Sequence, residues 1–369
     1  MSTLQAFARI AFDAAGQTLV NPEAKARLIA ATGHMPGVAR TLLECRLAAA
    51  DKQVDLSQSF LRADIPKLQF HLRQHAVENS PVHPGQRRVV EFLQQWCKPS
   101  HPFHKRIAGV WLEYDLPEQA APGTALPGIF LDFEPVDASP ESRAALRDVL
   151  QQLLLQWAGQ GDVLAYLDVL EGYLSALPPT VGLSYLGLMA SRDPFSLRVQ
   201  FSGFSGETMH AFLQATSLQA TPALADHLAE AVTLADEMCQ SWVACIDLLP
   251  QLSPRVGLEL FPSQYHEAVS DEVVIAKLMA RGLCCQQKGQ EALAWRGRLT
   301  PREAQALWPD DLLMESLLRN ADEFGVIERR INHFKLLAEP QRALQAKVYL
   351  AADHSWVSFS EPDCPAREE

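Results

Sequence analysis

Residues 181–203, VGLSYLGLMASRDPFSLRVQFSG, contain the pattern that decides the fold. Apolar and polar residues alternate on both sides of a short polar turn, over 181–191 and again over 195–203. Successive side chains of a strand point to opposite faces, so this pattern predicts two strands, and the short turn makes them an antiparallel hairpin. Apolar residues at helical spacing precede the hairpin at 161–176 and follow it at 206–217.

The same order, two helices followed by two strands, recurs along the chain between residues 105 and 351. The helical spacing predicts helices over 139–158, 161–176, 206–217, 222–241 and 270–284. Alternation predicts strands over 106–116, 127–135, 181–191, 195–203, 243–249, 255–262, 328–338 and 343–351, with 291–296 a ninth candidate. The repeat predicts an α+β fold built from α-α-β-β units around one antiparallel sheet.

The two faces of this sheet differ in composition. One face is apolar, with sets such as Val110, Leu112 and Tyr114, or Leu197, Val199 and Phe201. The other face is polar and aromatic, and it includes Trp111, Glu113, Asp115, Phe130, Asp132, Glu134, Arg198, Gln200, Cys245, Asp247, Glu259, Phe261, His333, Lys335, Lys347 and Tyr349. If helices cover the apolar face, the polar face is either solvated, in an open sheet, or lines a lumen, in a barrel of about nine or ten strands ringed by helices.

The sequence predicts three regions, the repeat region and one segment on each side of it. Residues 1–98 predict a helical N-terminal region, with helices at 2–15, 22–49, 55–76 and 85–97. The repeat region spans 105–351. Residues 355–369, ending in EPDCPAREE, predict a disordered tail.

Composition excludes several classes of protein. The chain of 369 residues has a formal net charge of −12, which argues against nucleic acid as a partner. It has neither an apolar stretch long enough for a membrane helix nor the pattern of a signal peptide, so we expect a cytoplasmic protein without a membrane partner. The seven cysteines form no C-x-x-C pair and predict free thiols.

Two short motifs near the C-terminus add a chemical pattern to this architecture. His333-x-Lys335 and Lys347-x-Tyr349 place basic and aromatic side chains on one strand face. With the α-α-β-β order, they make residues 105–351 resemble the aromatic prenyltransferases of the ABBA, or PT-barrel, type. In that family, K-x-Y pairs bind an allylic diphosphate and shield the carbocation. Here Lys347-x-Tyr349 is the only K-x-Y, and the polar face is unusually acidic.

The resemblance implies roles for particular residues. It makes Glu113 the carboxylate that holds or deprotonates the acceptor. A diphosphate would lie near Arg198, Arg296, His333, Lys335, Lys347 and Tyr349, while Trp111, Phe130 and Glu259 would line the acceptor pocket. Lysine and arginine neutralise a leaving diphosphate, and aromatic faces stabilise an allyl cation.

Each of these groups has a simpler explanation that stays open. Lys335 and Lys347 are equally consistent with structural ion pairs to Glu259, Asp247 or Glu339. Glu113 and Asp115 are a candidate cation site with Asp132 or Glu134, although solvated carboxylates are the favoured interpretation. We therefore expect no metal site and no tightly bound cofactor, with Mg²⁺ left open.

Two functions follow from this sequence. The first is a prenyltransferase-like enzyme of secondary metabolism that transfers an allylic group from a diphosphate to an aromatic, amine, guanidine or peptide acceptor. The second is a non-catalytic accessory protein of a biosynthetic pathway that binds a peptide or another enzyme. Basic residues clustered in a common lumen would favour the enzyme, and dispersal into surface ion pairs would favour the accessory protein.

Overall fold

A computed structural model describes most of the chain. The described residues are 4–32, 40–77, 84–116, 126–133, 140–157, 163–189, 195–216, 222–248, 255–262, 269–305, 308–319 and 323–358.

The helices are α1 Leu4–Asp13, α2 Pro22–Ala31, α3 Ile65–Val77, α4 Pro84–Trp96, α5 Pro102–Arg106, α6 Pro140–Trp157, α7 Val163–Ala176, α8 Gly206–Ala215, α9 Pro222–Met238, α10 Asp271–Ala280, α11 Gln286–Ala294, α12 Pro301–Ala304 and α13 Asp310–Leu318. From residue 84 onward, α4 and α6 to α10 match the predicted helices, whereas α5, α11, α12 and α13 were not predicted. Local signals explain several starts. Before α2, for example, Asn21 Oδ1 accepts a hydrogen bond from the Ala24 amide at 2.7 Å, and Pro22 occupies the first turn.

Ten of the strands form the wall of a closed antiparallel barrel. The strands are β1 Arg40–Arg46, β2 Val54–Leu61, β3 Ile107–Tyr114, β4 Pro127–Phe133, β5 Gly182–Met189, β6 Ser196–Phe204, β7 Trp242–Leu248, β8 Val256–Leu260, β9 Gly297–Leu299, β10 Glu323–Glu339 and β11 Arg342–Ser358. The order is β11-β1-β2-β3-β4-β5-β6-β7-β8-β10, and β10 pairs with β11 to close the ring. The short β9 pairs with the outer part of β10. The expected α+β fold is confirmed, and the sheet is closed.

The apolar face of the barrel packs against the surrounding helices. On β6, Leu197, Val199 and Phe201 are completely buried. The Phe201 ring contacts Phe212 of α8 with ring centroids 6.1 Å apart. Burying each such large side chain contributes about 1.5–3 kcal/mol, so this outer layer is the main core of the molecule. The polar face is thereby enclosed in the lumen.

The helices predicted over 22–49 and 55–76 are wrong where the first hairpin lies. Residues 40–46 and 54–61 are β1 and β2, two of the ten barrel strands. The apolar residues of RTLLECRLAA fit helical spacing, but the pairing of β1 with β2 and β11 decides its conformation. Alternation was present as well, since Leu43 and Cys45 face the core while Glu44 and Arg46 face the lumen.

Two further predictions need correction. Residues 291–294, predicted as part of a ninth strand over 291–296, belong to α11. The short strand β9 begins only at Gly297. Residues 355–358 are not a tail, since β11 continues to Ser358 and pairs with β10. The rest of the expected tail, 359–369, and Glu134 lie outside the described residues. No described helix is long and apolar enough to cross a membrane.

Candidate functional site

A cavity of about 920 Å³ occupies the end of the barrel where the strand hairpins turn. Its floor is formed by charged side chains from the lumenal face of the strands, and its rim by the turn between β10 and β11. The charged and thiol residues that line it are Glu44, Arg46, Glu113, Asp115, Arg198, Cys245, Asp247, Arg255, Lys335, Glu339, Arg342 and Lys347. The cavity is large enough for a small ligand of the size that enzyme pockets hold.

Three cations lie side by side on neighbouring strands of this cavity. Register places Arg46 of β1 directly opposite Lys347 of β11, and Lys347 directly opposite Lys335 of β10. All three side chains are buried. Like charges directly opposite one another on a sheet are destabilising, so this row has to be compensated by nearby anions.

Glu44 provides much of that compensation. Its carboxylate accepts hydrogen bonds from Lys347 Nζ and from the Tyr349 hydroxyl. Arg46 Nη2 lies 3.7 Å from the same carboxylate and 3.7 Å from Asp55. Burial by itself would raise the pKa of Glu44, but the positive charges of Lys347 and Arg46 hold this pKa well below its usual value. Glu44 is therefore an ionised carboxylate.

A second pair of ionic contacts connects the opposite wall. Arg198 of β6 donates to both oxygens of Asp247 on β7, at 2.5 and 3.1 Å. It also reaches Glu113 of β3 at 3.4 Å. A bidentate guanidinium–carboxylate pair fixes geometry as well as charge, so Asp247 holds Arg198 in place while Glu113 makes the longer contact.

Lys335 has its own carboxylate and a thiol neighbour. Its Nζ donates to Glu259 at 2.8 Å and lies 3.2 Å from Cys245 Sγ. Gly257 makes room for the lysine stem, because a Cβ there would lie 2.3 Å from Lys335 Cε. Burial by itself would raise the pKa of Glu259, but the charge and hydrogen bond of Lys335, together with the charge of Arg198, lower the pKa of this carboxyl below its usual value.

Among the described residues, the cations and carboxylates of the lumen therefore pair with one another. The expected ion pair between Lys335 and Glu259 is present, whereas Lys347 pairs with Glu44 and Glu339 pairs with Arg255 at 2.7 Å. Nine ionisable lumenal side chains are buried, five acidic and four basic: Glu44, Asp55, Glu113, Asp247, Glu259, Arg46, Arg198, Lys335 and Lys347. Buried charges of this kind are tolerated only when they are paired.

An aromatic layer lies one step deeper along the strands. The His333 ring stacks on Tyr349 at a centroid distance of 3.9 Å and also contacts Phe261 at 4.7 Å. Burial lowers the pKa of His333 to about 4, so this ring is neutral near pH 7. His333 therefore contributes an aromatic face, and does not contribute the positive charge expected of a diphosphate ligand.

The other aromatic wall combines β3 and β4. Trp111 pairs across the strands with Phe130, and the Arg198 guanidinium lies 5.7 Å from the centroid of the Phe130 ring. Gly187 on β5 accommodates this ring, since a Cβ there would lie 2.7 Å from Phe130 Cε1. Aromatic and cationic side chains therefore meet in the same lumen.

The structure brings together the predicted site residues with one exception. Glu113, Arg198, His333, Lys335, Lys347, Tyr349, Trp111, Phe130 and Glu259 all lie on the lumenal face. Arg296 does not join them. It follows α11 and forms ion pairs with Glu272 and, at 3.7 Å, Asp271 at the start of α10, away from the lumen. Arg296 lies between α11 and β9, so the strand predicted over 291–296, which would have placed it in the lumen, does not form.

Sequence reasoning missed three lumenal residues, Glu44, Arg46 and Asp55, because it assigned their strands to helices. Asp55 accepts a hydrogen bond from the Leu116 amide at 2.9 Å. Burial raises its pKa to about 7, with Glu44 adding to the effect. Among the described residues, no group of three histidine, cysteine or acidic side chains is arranged to hold a metal ion.

Comparison with known proteins places this barrel among prenyltransferase folds. No family profile and no curated protein matches the sequence. The solved structure of the prenyltransferase PriB matches with a TM-score of 0.53 and 14% identity, over 94% of each chain. The 6-dimethylallyltryptophan synthase of Micromonospora olivasterospora matches with a TM-score of 0.52 and 12% identity, over 94% of this chain and 95% of that one.

A further 6-dimethylallyl tryptophan synthase matches with a TM-score of 0.51 and 13% identity, over 94% of each chain. Each of these similarities covers 94% of the chain. The chain has the ten-stranded ABBA, or PT-barrel, fold, which confirms the resemblance expected from its sequence.

Proposed function

We propose that this chain is a prenyltransferase-like enzyme that transfers an allylic group from a diphosphate to a nucleophilic acceptor inside the barrel. The observation that carries the proposal is the row of three neighbouring cations, Arg46, Lys347 and Lys335, beside an aromatic layer in a closed lumen. The solved structure of the 6-dimethylallyltryptophan synthase of Micromonospora olivasterospora is a complex with DMASPP and Trp.

The chemistry divides between the two layers. The C–O bond of the allylic diphosphate breaks with its electron pair remaining on the diphosphate, and the cation row stabilises the negative charge that develops there. The aromatic faces of Tyr349, Trp111 and Phe130 stabilise the allyl cation, each by on the order of 1–2 kcal/mol when desolvated. The acceptor forms the new C–C or C–N bond and gives its proton to a carboxylate, a role we assign to Glu113.

A second function is favoured by a different observation. Each of the four buried lumenal cations already has a carboxylate partner, so the described lumen is close to electrically balanced without a ligand. This arrangement suits a non-catalytic accessory protein that binds a peptide or a charge-balanced molecule. The enzyme remains the better supported function because the cations are contiguous and buried rather than dispersed over the surface.

Calorimetric titration with dimethylallyl and geranyl diphosphate, with and without magnesium, tests the proposal. We expect saturable binding that Lys335→Met weakens at least 10-fold. Because that substitution leaves Glu259 buried and uncompensated, the double variant Lys335→Met with Glu259→Gln serves to separate binding from stability. Lys98→Ala, at an exposed position, is the matched control. Absence of binding to both diphosphates would favour the accessory protein.

A further inference from the structure

Several buried atoms on the lumenal face have no hydrogen-bond partner among the described residues, including Ser196 Oγ on β6 and Gln345 Oε1 on β11. Two others, one donor and one acceptor, belong to the cation row and to the aromatic layer. The donor is Arg46 Nε, on a side chain that lines the cavity and contacts its carboxylates only at 3.7 Å. The acceptor is His333 Nε2. The His333 Nδ1 atom lies 2.7 Å from Asn332 Oδ1, which can only accept a hydrogen bond, so Nδ1 carries the proton and Nε2 carries the lone pair. Buried polar groups are normally paired, so both atoms point to ligands.

These two atoms would bind different kinds of ligand group, because one donates a hydrogen bond and the other accepts one. Arg46 Nε is suited to an anionic oxygen, and it belongs to the row with Lys347 and Lys335. His333 Nε2 is suited to an N–H donor, and its strand position is level with Tyr349, one step deeper than the row. His333 lies two residues, about 6.6 Å, from Lys335 along β10, whereas Arg46 is two strands away, so a ligand held at the Lys335 end of the row would be the neighbour of a ligand at His333.

Glu44 lies at the level of Tyr349 and His333, and its carboxylate reaches Lys347 in the cation row. It now pairs with Lys347, and register places it opposite Tyr349, which is itself opposite His333. A diphosphate that draws Lys347 and Arg46 toward itself would leave Glu44 buried without its cations, which is strongly unfavourable. An ammonium group at Glu44 removes that penalty.

We propose that the lumen binds an anionic diphosphate and a cationic amine acceptor as a mutually dependent pair, through an exchange of partners at Glu44. The diphosphate takes Lys347 and Arg46, and the ammonium takes Glu44 while an N–H group donates to His333 Nε2. This inference rests on the proposed function and specifies its acceptor class. Each ligand raises the affinity for the other by the same factor, because the coupling of two binding equilibria is reciprocal.

Titration of the full chain with inorganic pyrophosphate tests this coupling, in buffer alone, with saturating tyramine and with saturating tyrosol. Tyramine and tyrosol share a phenol ring and differ in an ammonium or a hydroxyl group. We expect tyramine to lower the Kd of pyrophosphate by about 5- to 150-fold, and pyrophosphate to lower the Kd of tyramine by the same factor. We expect tyrosol to leave the Kd of pyrophosphate unchanged.

The variant Glu44→Gln locates the exchange. It should bind pyrophosphate alone more tightly than the wild type does, and it should no longer respond to tyramine. Glu230→Gln, on the exposed face of α9, should respond as the wild type does. If the circular dichroism spectrum shows that Glu44→Gln does not fold as the wild type does, the coupling is tested by comparing tyramine with tyrosol in the wild type.

The outcomes separate this inference from the proposed function. A pyrophosphate Kd that tyramine leaves unchanged, or that tyrosol lowers equally, overturns the coupled pair while diphosphate binding stands. Binding of neither pyrophosphate nor dimethylallyl diphosphate, with or without tyramine, overturns the proposed function as well.

Discussion

Asp55 shows at the scale of one residue how the barrel changes the chemistry of a side chain. It lies opposite Glu44 on the neighbouring strand and is almost completely buried. Burial is the main cause that raises its pKa to about 7, and the charges of Glu44 and Asp115 add to it. The folded protein therefore holds a proton on Asp55 at pH values where the unfolded chain has already lost it.

This difference predicts how stability depends on pH. Because the folded state binds the extra proton, the contribution of Asp55 to stability is present at low pH and is lost as pH rises through about 7. The free energy of unfolding of Asp55→Asn, relative to the wild type, should therefore increase by about 2 kcal/mol between pH 5.5 and pH 8.5. Urea denaturation at the two pH values measures this change.

Asp226→Asn, on the exposed side of α9, is the control for the substitution itself. Equal stability differences between Asp55→Asn and the wild type at both pH values would contradict the raised pKa.

At the scale of an element, the hairpin between β1 and β2 depends on one lysine from another part of the chain. Lys288 of α11 is buried, and its Nζ donates to the carbonyl oxygens of Arg46 and Ala48, each at 2.9 Å, and of Asp51. The Cys285 amide also donates to the Leu47 carbonyl at 3.0 Å. The N-terminal turn of α11 thereby fixes the hairpin that presents Arg46 to the cavity.

Replacing Lys288 by Met should remove three hydrogen bonds while keeping most of the apolar stem. We expect a loss of about 2 to 3 kcal/mol in the free energy of unfolding, because charged hydrogen bonds are stronger than neutral ones and the Arg46 carbonyl becomes unsatisfied in the interior. Thermal and urea denaturation measure the loss.

Lys277→Met provides the comparison, since Lys277 forms a partly exposed ion pair with Glu237 on α9 at 3.3 Å. That substitution should cost no more than about 0.5 kcal/mol. Equal effects of the two substitutions would mean that the hairpin does not depend on Lys288.

At the scale of the whole molecule, closure joins the first hairpin to the last. β1 pairs with β11 through seven residue positions and with β2 through six. A chain that begins after residue 98 would lack two of the ten wall strands and would expose the edges of β3 and β11. Unpaired edges of this length favour aggregation.

We therefore predict that a fragment of residues 99–369 does not unfold cooperatively. Circular dichroism and tryptophan fluorescence during heating should show a single sharp transition for the full chain and a broad, shallow change for the fragment. A fragment that melts as sharply as the full chain would instead support residues 1–98 as a separate region.

The sequence predicts an element correctly where the periodicity of its apolar residues agrees with the strand pairing or helix packing of the folded protein. The strands of β3 to β8 and the helices between them follow from periodicity, because each helix buries one stripe and each strand one face. Glu113, Arg198, Lys335 and Lys347 were assigned to the polar face on the same grounds. The first hairpin was missed because RTLLECRL satisfies both helical and strand spacing, and only its neighbours distinguish the two.

The sequence by itself determined the repeated α-α-β-β order, the antiparallel hairpins and the composition of the two sheet faces, since these depend on residues close together in the chain. The tertiary structure decided closure, because β1 and β11 meet across about 300 residues of sequence. It also decided the charge pairing. Lys347 meets Glu44 and Arg198 meets Asp247 only when separate strands come into register, and no local pattern specifies which carboxylate each cation will find.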